Sequence, residues 1–284
     1  MLVRLPAPFD WELSTERFRA FGPDPANVWD DGRLYRVFHG REARIEAARS
    51  GVRVAPDDRN LVTPIRRFLG GEFDLDGFAR FAATADPVLA ELVERLHGLR
   101  PTLAPDPFEA LVGSVTTQQI SLRAALAIRA RLVRAFGRRH EHAWAFPTRE
   151  RLARADPAEL RALGFSTRKA EYVVALARAP LDFATLAVLS DEDVKRELTA
   201  LPGVGEWTVD WFLARYLARP DAWPAGDLGL RKAVAAFYGR DKSRSCGDGR
   251  LPSVKEVRTF GERFAGHRNL AAHYLLVGLR LLRR

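Results

Sequence analysis

The sequence predicts an α+β fold, with an N-terminal antiparallel sheet and helices followed by a longer, all-helical part. Three observations carry this. Residues 28–55 alternate apolar and polar positions between tight turns, as half-buried strands do. From about residue 58 the apolar residues recur three and four apart, the period of amphipathic helices. Beyond the proline-rich stretch "RPTLAPD" at residues 100–106, every periodic segment is helical. The expected division is therefore an α+β domain over 1–99, a linker over 100–106 and a helical domain over 107–284.

In chain order, the segment "GRLYRVFHG" follows an Asp31-Gly32 turn, which favours a hairpin. Next, "REARIEA" puts Ala43, Ile45 and Ala47 on one strand face, and "SGVRVAP" closes the series. The segments "NLVTPIRRFLG", "DLDGFARFAAT" and "ADPVLAELVERLHGL" then read as helices. After the linker, helices are expected over 107–136, 148–163, 166–179, 190–200, 205–218, 228–239, 253–265 and 268–283. Punctuation supports these limits: Thr148 and Asp156 suit N-caps, Pro157 a first helical position and Gly164 a C-terminal stop.

Composition bounds the function. A chain of 284 residues, 47% of them hydrophobic, has material for sizeable cores. No run approaches the roughly 18 uncharged apolar residues of a membrane span, and "MLVRLPAPFDWE" lacks the apolar region of a secretory signal, so the expectation is a cytoplasmic protein. The single cysteine, Cys246, rules out a disulfide framework, a thiolate zinc site and a four-cysteine iron–sulfur cluster. The formal charge of +9 and a pI near 10.2 favour a polyanionic partner such as nucleic acid.

The most specific stretch is "TALPGVGEWTVDW", residues 199–211, within a helix–turn–helix pattern at about 190–218. Gly203 and Gly205 can adopt positive φ and Pro202 fixes the entry, so the turn leaves N–H groups pointing outward at the start of the second helix. Such groups bind phosphate without reading base sequence. Downstream, Asp227 precedes a helical run; it suits an N-cap, and a carboxylate there can also face whatever the hairpin holds. Trp207 and Trp211, four apart, share a helix face as either core or pocket lining.

These residues carry a resemblance. L-P-G-V-G-x-W-T-x-x-W followed by a Pro-x-x-Asp segment resembles the helix-hairpin-helix, Gly/Pro-rich, aspartate (HhH-GPD) signature of the base-excision DNA glycosylases. "VGSVTTQQISLRAALAIRARLVRAFG" and "FPTRERLARADPAELRALGFSTRKAEYVVALARA" are similar to blocks of the DNA-3-methyladenine glycosylase II (AlkA-like) family, and "PAPFDWE" at residues 6–12 resembles that family's N-terminal strand. The resemblance implies a TATA-binding-protein-like sheet domain joined to an all-helical HhH-GPD core in two subdomains. It also implies a monomeric enzyme acting on double-stranded DNA that contains alkylated bases.

What it implies at single residues is as follows. Asp227 is the catalytic carboxylate, opposite the oxocarbenium-like sugar formed as the N-glycosidic bond breaks. Trp207 stands where the strand-cleaving relatives carry a Schiff-base lysine, and the lysine nearest Asp227, Lys232, lies about one turn beyond it, so the enzyme is expected to be monofunctional. Trp207 and Trp211, with Phe18 or Phe21 and Leu276, are expected to line a base pocket; an aromatic face suits the cationic 3-methyladenine and 7-methylguanine. His273 and Tyr274 read as packing. DNA contacts are expected from Gly203, Gly205 and Thr208, with Gln118 or Gln119 filling the stack vacated by the flipped base. No organic cofactor is expected, though the carbonyls of Thr199, Leu201 and Val204 would take a Na or K ion at the hairpin. The alternatives are a glycosylase of the same fold for other damaged bases, such as 8-oxoguanine, and a lesion-binding protein without turnover.

Overall fold

The computed structural model describes residues 1–239 and 250–282, so Cys246 lies outside the described residues. Its elements are β1 (Leu2–Arg4), α1 (Trp11–Thr15), α2 (Arg17–Ala20), β2 (Val28–Asp30), β3 (Arg33–Phe38), β4 (Arg41–Ala48), β5 (Gly51–Ala55), α3 (Val62–Phe68), α4 (Leu75–Ala85) and α5 (Pro87–Arg95). They continue as α6 (Pro107–Thr117), α7 (Leu122–Phe136), β6 (Arg138–Arg139), β7 (Trp144–Ala145), α8 (Arg149–Ala153), α9 (Pro157–Ala162), α10 (Thr167–Arg178), α11 (Phe183–Val188), α12 (Asp191–Thr199), α13 (Glu206–Arg215), α14 (Leu228–Tyr238), α15 (Val254–Gly261) and α16 (Arg268–Leu282).

The α+β expectation holds. Strands β1-β5-β4-β3-β2 form one antiparallel sheet, and β4 is central because it pairs with both β3 and β5. Ile45 sits opposite Leu34 and Val54, all three buried, and each such side chain contributes about 1.5–3 kcal/mol by leaving water. The sheet and α3 close one apolar core. The N-terminal strand, expected over 6–12, is instead Leu2–Arg4; Asp10 accepts from Leu13 N–H at 2.7 Å and starts α1, so the cap ends the extended chain early.

Two further cores organise the helices, and they cut across the expected 1–99 boundary. Helices α4 and α5 pack against α14 and α16 in one core, whereas α6 to α13 surround the other. The stretch 100–106 is equally unlike a free linker. Arg100 is 1% exposed and donates to the carbonyls of Pro8, Gly70 and Phe73 at 3.1, 3.0 and 2.8 Å. Leu103 N–H and Ala104 N–H bond Phe68 O and Arg215 O, so the prolines end helices while the chain itself runs through the interior. The sequence also concealed the two-stranded β6–β7 ribbon and α11, each too short to show a period.

Sheet and helices are tied together by buried charge. Arg36 on β3 donates to Glu109 on α6 at 2.5 Å, and Arg129 on α7 donates to Glu109 at 2.6 Å and to Asp24 at 3.0 Å. Burial alone would raise the Glu109 carboxyl, but the two guanidinia outweigh it and hold it below the ordinary carboxylate range. At the ribbon, Glu42 accepts from His142 N–H at 3.0 Å and Ala143 N–H at 2.8 Å, which pins the ribbon against the sheet.

Candidate active site

The site grows from the turn between α12 and α13. Gly203 has φ +77, and a Cβ there would lie 2.1 Å from the Tyr172 ring, so both conformation and contact require glycine. Gly205 differs from expectation: its φ is −100, an ordinary value, and its Cβ position faces open space. Its role is to begin α13 without a side-chain cap. Among the described residues no acceptor takes the N–H groups of Gly203, Gly205, Glu206 or Trp207, whereas Thr208 and Val209 already donate to Gly205 O. These N–H groups are left without an acceptor around the start of α13, as the first donors of a helix are when no side chain caps it. Thr208 is 1% exposed, and its hydroxyl accepts from Gln118, so its side chain braces the hairpin.

Asp227 caps α14, accepting Leu230 N–H on Oδ1 at 3.0 Å. Its Oδ2 accepts the indole N–H groups of both Trp207 and Trp211, each at 3.2 Å. Three N–H donors thus converge on one carboxylate and fix its rotamer. The N-cap reading of Asp227 holds, and the cap leaves Oδ2 to the two indoles. Gly226 lies against Trp207, where a Cβ would make only ordinary contact, 3.7 Å from Cδ1.

Asp227 opens onto a cavity of about 730 Å³. Trp207, Trp211, Phe18, Phe21 and Leu276 all line it, so the expected pocket residues are gathered together, although Phe18 also stacks on Phe68 of the sheet core at 5.6 Å. Lys232 reaches the same cavity as an exposed residue. His273 departs from the packing expectation. It is 4% exposed, tilts against Trp211 at 5.9 Å, lines the cavity and leaves Nε2 without a partner. Burial first, then Arg215, Arg17 and Arg280, lower its proton affinity well below the ordinary histidine range. Tyr274 does pack, donating its hydroxyl to Leu99 O at 3.0 Å.

Sequence reasoning missed the arginines. Arg215 stacks over Trp211 at 4.8 Å, and Arg17 lies 5.7 Å from the Phe18 ring; both line the cavity. Arg280 lines it too, paired with Glu16. For Arg215 a signal existed, since positions 207, 211 and 215 repeat every four residues along one face of α13.

Gln118 and Gln119 occupy the turn between α6 and α7 and behave differently. Gln118 Nε2 donates to Gly203 O at 2.8 Å and to Thr208 Oγ1 at 3.1 Å, so its amide is committed to the hairpin. Gln119 is exposed with φ +55, beside the exposed Ile120 and Leu122. Lys169 on α10, also missed, donates to Thr116 O at 3.0 Å and Gln118 O at 2.5 Å, holding the carbonyls that end α6. At the hairpin, Leu201 O accepts Val204 N–H, while no described N–H reaches Thr199 O or Val204 O. Among the described residues no helix is long and apolar enough to cross a membrane.

Residues 112–247 match the HhH-GPD superfamily base excision DNA repair protein family. A DNA-3-methyladenine glycosylase of Bacillus subtilis is 35% identical over 61% of this chain and 60% of its own length, so the chain spans less than two thirds of that relative. DNA-3-methyladenine glycosylase 1 of Schizosaccharomyces pombe is 30% identical over 66% of this chain and 78% of its own length. The solved 3-methyladenine DNA-glycosylase of Archaeoglobus fulgidus superposes with a TM-score of 0.87 at 27% identity, covering 99% of both chains.

Proposed function

The chain belongs to the HhH-GPD superfamily of base excision DNA repair proteins, and we propose that it is a monofunctional DNA glycosylase that flips alkylated bases out of duplex DNA and hydrolyses their N-glycosidic bond. The observation that carries this is the carboxylate of Asp227, held by two indole N–H groups in the wall of a cavity with ample room for a purine base.

In this reading the orphan N–H groups at the start of α13 grip a phosphate, and the flipped purine enters the cavity against Trp207 and Trp211. As the C1′–N bond lengthens, its electron pair leaves with the base and positive charge develops on the sugar, where Asp227 stabilises it. Water oxygen bonds to C1′ and loses a proton, leaving an abasic sugar and a free base. A purine that is already cationic departs without an added proton, so no second carboxylic acid is needed. Trp207 stands in the Schiff-base position, and cleavage of the strand is not part of the reaction. Gln119, exposed and unclamped, is the wedge that enters the vacated stack, while Gln118 holds the hairpin.

The finer architecture follows the same reading: the sheet is a TATA-binding-protein-like domain, and the two helical cores are two subdomains with the cavity between them. A Na or K ion fits the carbonyls of Thr199, Leu201 and Val204, two of which have no other donor among the described residues. The protein works as a monomer on double-stranded DNA. The test is release of free bases, measured by mass, from methylated duplex DNA. Release of 3-methyladenine or 7-methylguanine with the strand left intact is expected; no release overturns the proposal. Undiminished release by Asp227→Asn overturns the mechanism, and undiminished lesion binding without turnover by the wild type would identify a binder.

A further inference from the structure

The cavity that would hold the base contains positive charge without a partner. No hydrogen bond or ion pair among the described residues engages the guanidinium of Arg215; its Nε is buried and orphaned, and its Cζ lies 4.8 Å from the centroid of the Trp211 ring. Arg17 likewise makes no ion pair or hydrogen bond among the described residues, although the Asp24 carboxylate acts on it through space. Both are only half-buried in accessible area because they open onto the cavity, yet protein surrounds them. Burial, then Arg280, pushes Arg215 down to about 10, against the opposing pull of Asp227; burial, then Arg215, Arg280 and Arg129, lowers Arg17. Beside them His273 presents an unpartnered ring nitrogen at 4% exposure. A donor left without a partner is satisfied when a bound ligand presents an acceptor atom to it.

A methylated purine can meet these donors in two ways. 7-Methylguanine carries an exocyclic carbonyl, an acceptor that a planar guanidinium can engage. 3-Methyladenine carries an amino group at the same position, which meets the guanidinium donor to donor and leaves only ring nitrogens as acceptors at that edge. Both bases are cationic in DNA, so net charge does not distinguish them, whereas the acceptor does. Sites built to hydrogen-bond a substrate group discriminate strongly against analogues that lack it.

Building on the glycosylase reading above, we infer that Arg215, with Arg17 beside it, is the specificity element of the cavity: its unpaired guanidinium takes the exocyclic carbonyl of the flipped base and biases release toward oxopurines, 7-methylguanine over 3-methyladenine. Arg215 lies on the same face of α13 as the tryptophans that hold Asp227, so the groups that read the base and position the carboxylate share one rigid helix.

The test compares wild type, Arg215→Met and Arg17→Met on one methylated duplex, with both released bases quantified in the same reaction. Methionine keeps apolar bulk over Trp211 while removing charge and donors. The expected result is a fall in the ratio of 7-methylguanine to 3-methyladenine of about tenfold in Arg215→Met, the loss of one charge-assisted hydrogen bond, and a smaller fall in Arg17→Met. A merely structural role would lower both bases together and leave the ratio within about threefold, which overturns the inference. Where Arg215→Met fails to fold, the Arg17→Met ratio decides by the same threefold criterion. Release of neither base by the wild type removes the glycosylase reading itself, an outcome distinct from an unchanged ratio.

Discussion

Trp211 donates its indole N–H to Oδ2 of Asp227 across 3.2 Å, so the residue that walls the cavity also aims the carboxylate. Asp227→Asn keeps an N-cap side chain and is expected to change stability by less than about 1 kcal/mol. Base release should nonetheless fall by at least about a hundredfold, because the charge opposite the developing cation is gone. Trp211→Phe, which retains the ring and deletes the donor, should lower release by about tenfold. Single-turnover base release and thermal melts on the same preparations separate the two effects.

Lys169 closes the end of α6 by bonding Thr116 O and Gln118 O, immediately before the turn that presents Gln119. In Lys169→Met the turn loses that anchor. Release from duplex DNA should drop about tenfold, while release from methylated single strands, where less unstacking is required, should drop by less than about threefold. Equal losses on both substrates would argue against a role in base flipping.

The two hairpin glycines should behave oppositely. Gly203→Ala forces a Cβ into Tyr172 at positive φ and is expected to cost more than about 1 kcal/mol of stability. Gly205→Ala meets nothing within 4 Å and has an ordinary φ, so stability should stay within about 0.5 kcal/mol while DNA affinity falls. Melting curves and fluorescence anisotropy with a labelled duplex test the pair.

Asp210, on α13 and 6% exposed, is pushed up to about 6 by burial, with Glu206 adding to the rise and Lys195 opposing it. The folded protein therefore holds this proton more tightly than the unfolded chain. That contribution to stability is fully present below the ordinary carboxylate range and is lost as pH rises through about 6. Asp210→Asn removes the dependence. Relative to wild type it should gain on the order of 2 kcal/mol at pH 7.5 and nothing near pH 4, read from denaturant titrations at both values.

The hairpin, Asp227 and the Trp207/Trp211 pair were legible because each rests on local spacing, and a helix turn carries such spacing directly into space. The cavity arginines were not. Arg17 reaches the site only because α2 lies against the cavity that α13 and α16 also line, a relationship set by tertiary packing. The docking of α4 and α5 on the C-terminal helices was hidden for the same reason, since an amphipathic stripe states that a face is buried and not what buries it. The stretch 100–106 misled in the other direction. Its prolines correctly marked the end of helices, but Arg100 satisfies three carbonyls in the interior, and no sequence period announces that.

Glu16 and Arg280 pair across 264 positions of the chain, and both belong to the wall around the cavity or directly behind it. A ribosome must therefore deliver nearly the whole described chain before that wall can close. The cavity is therefore a property of the closed chain: its wall depends on a contact between the first helices and the last described one, and no local segment contains it.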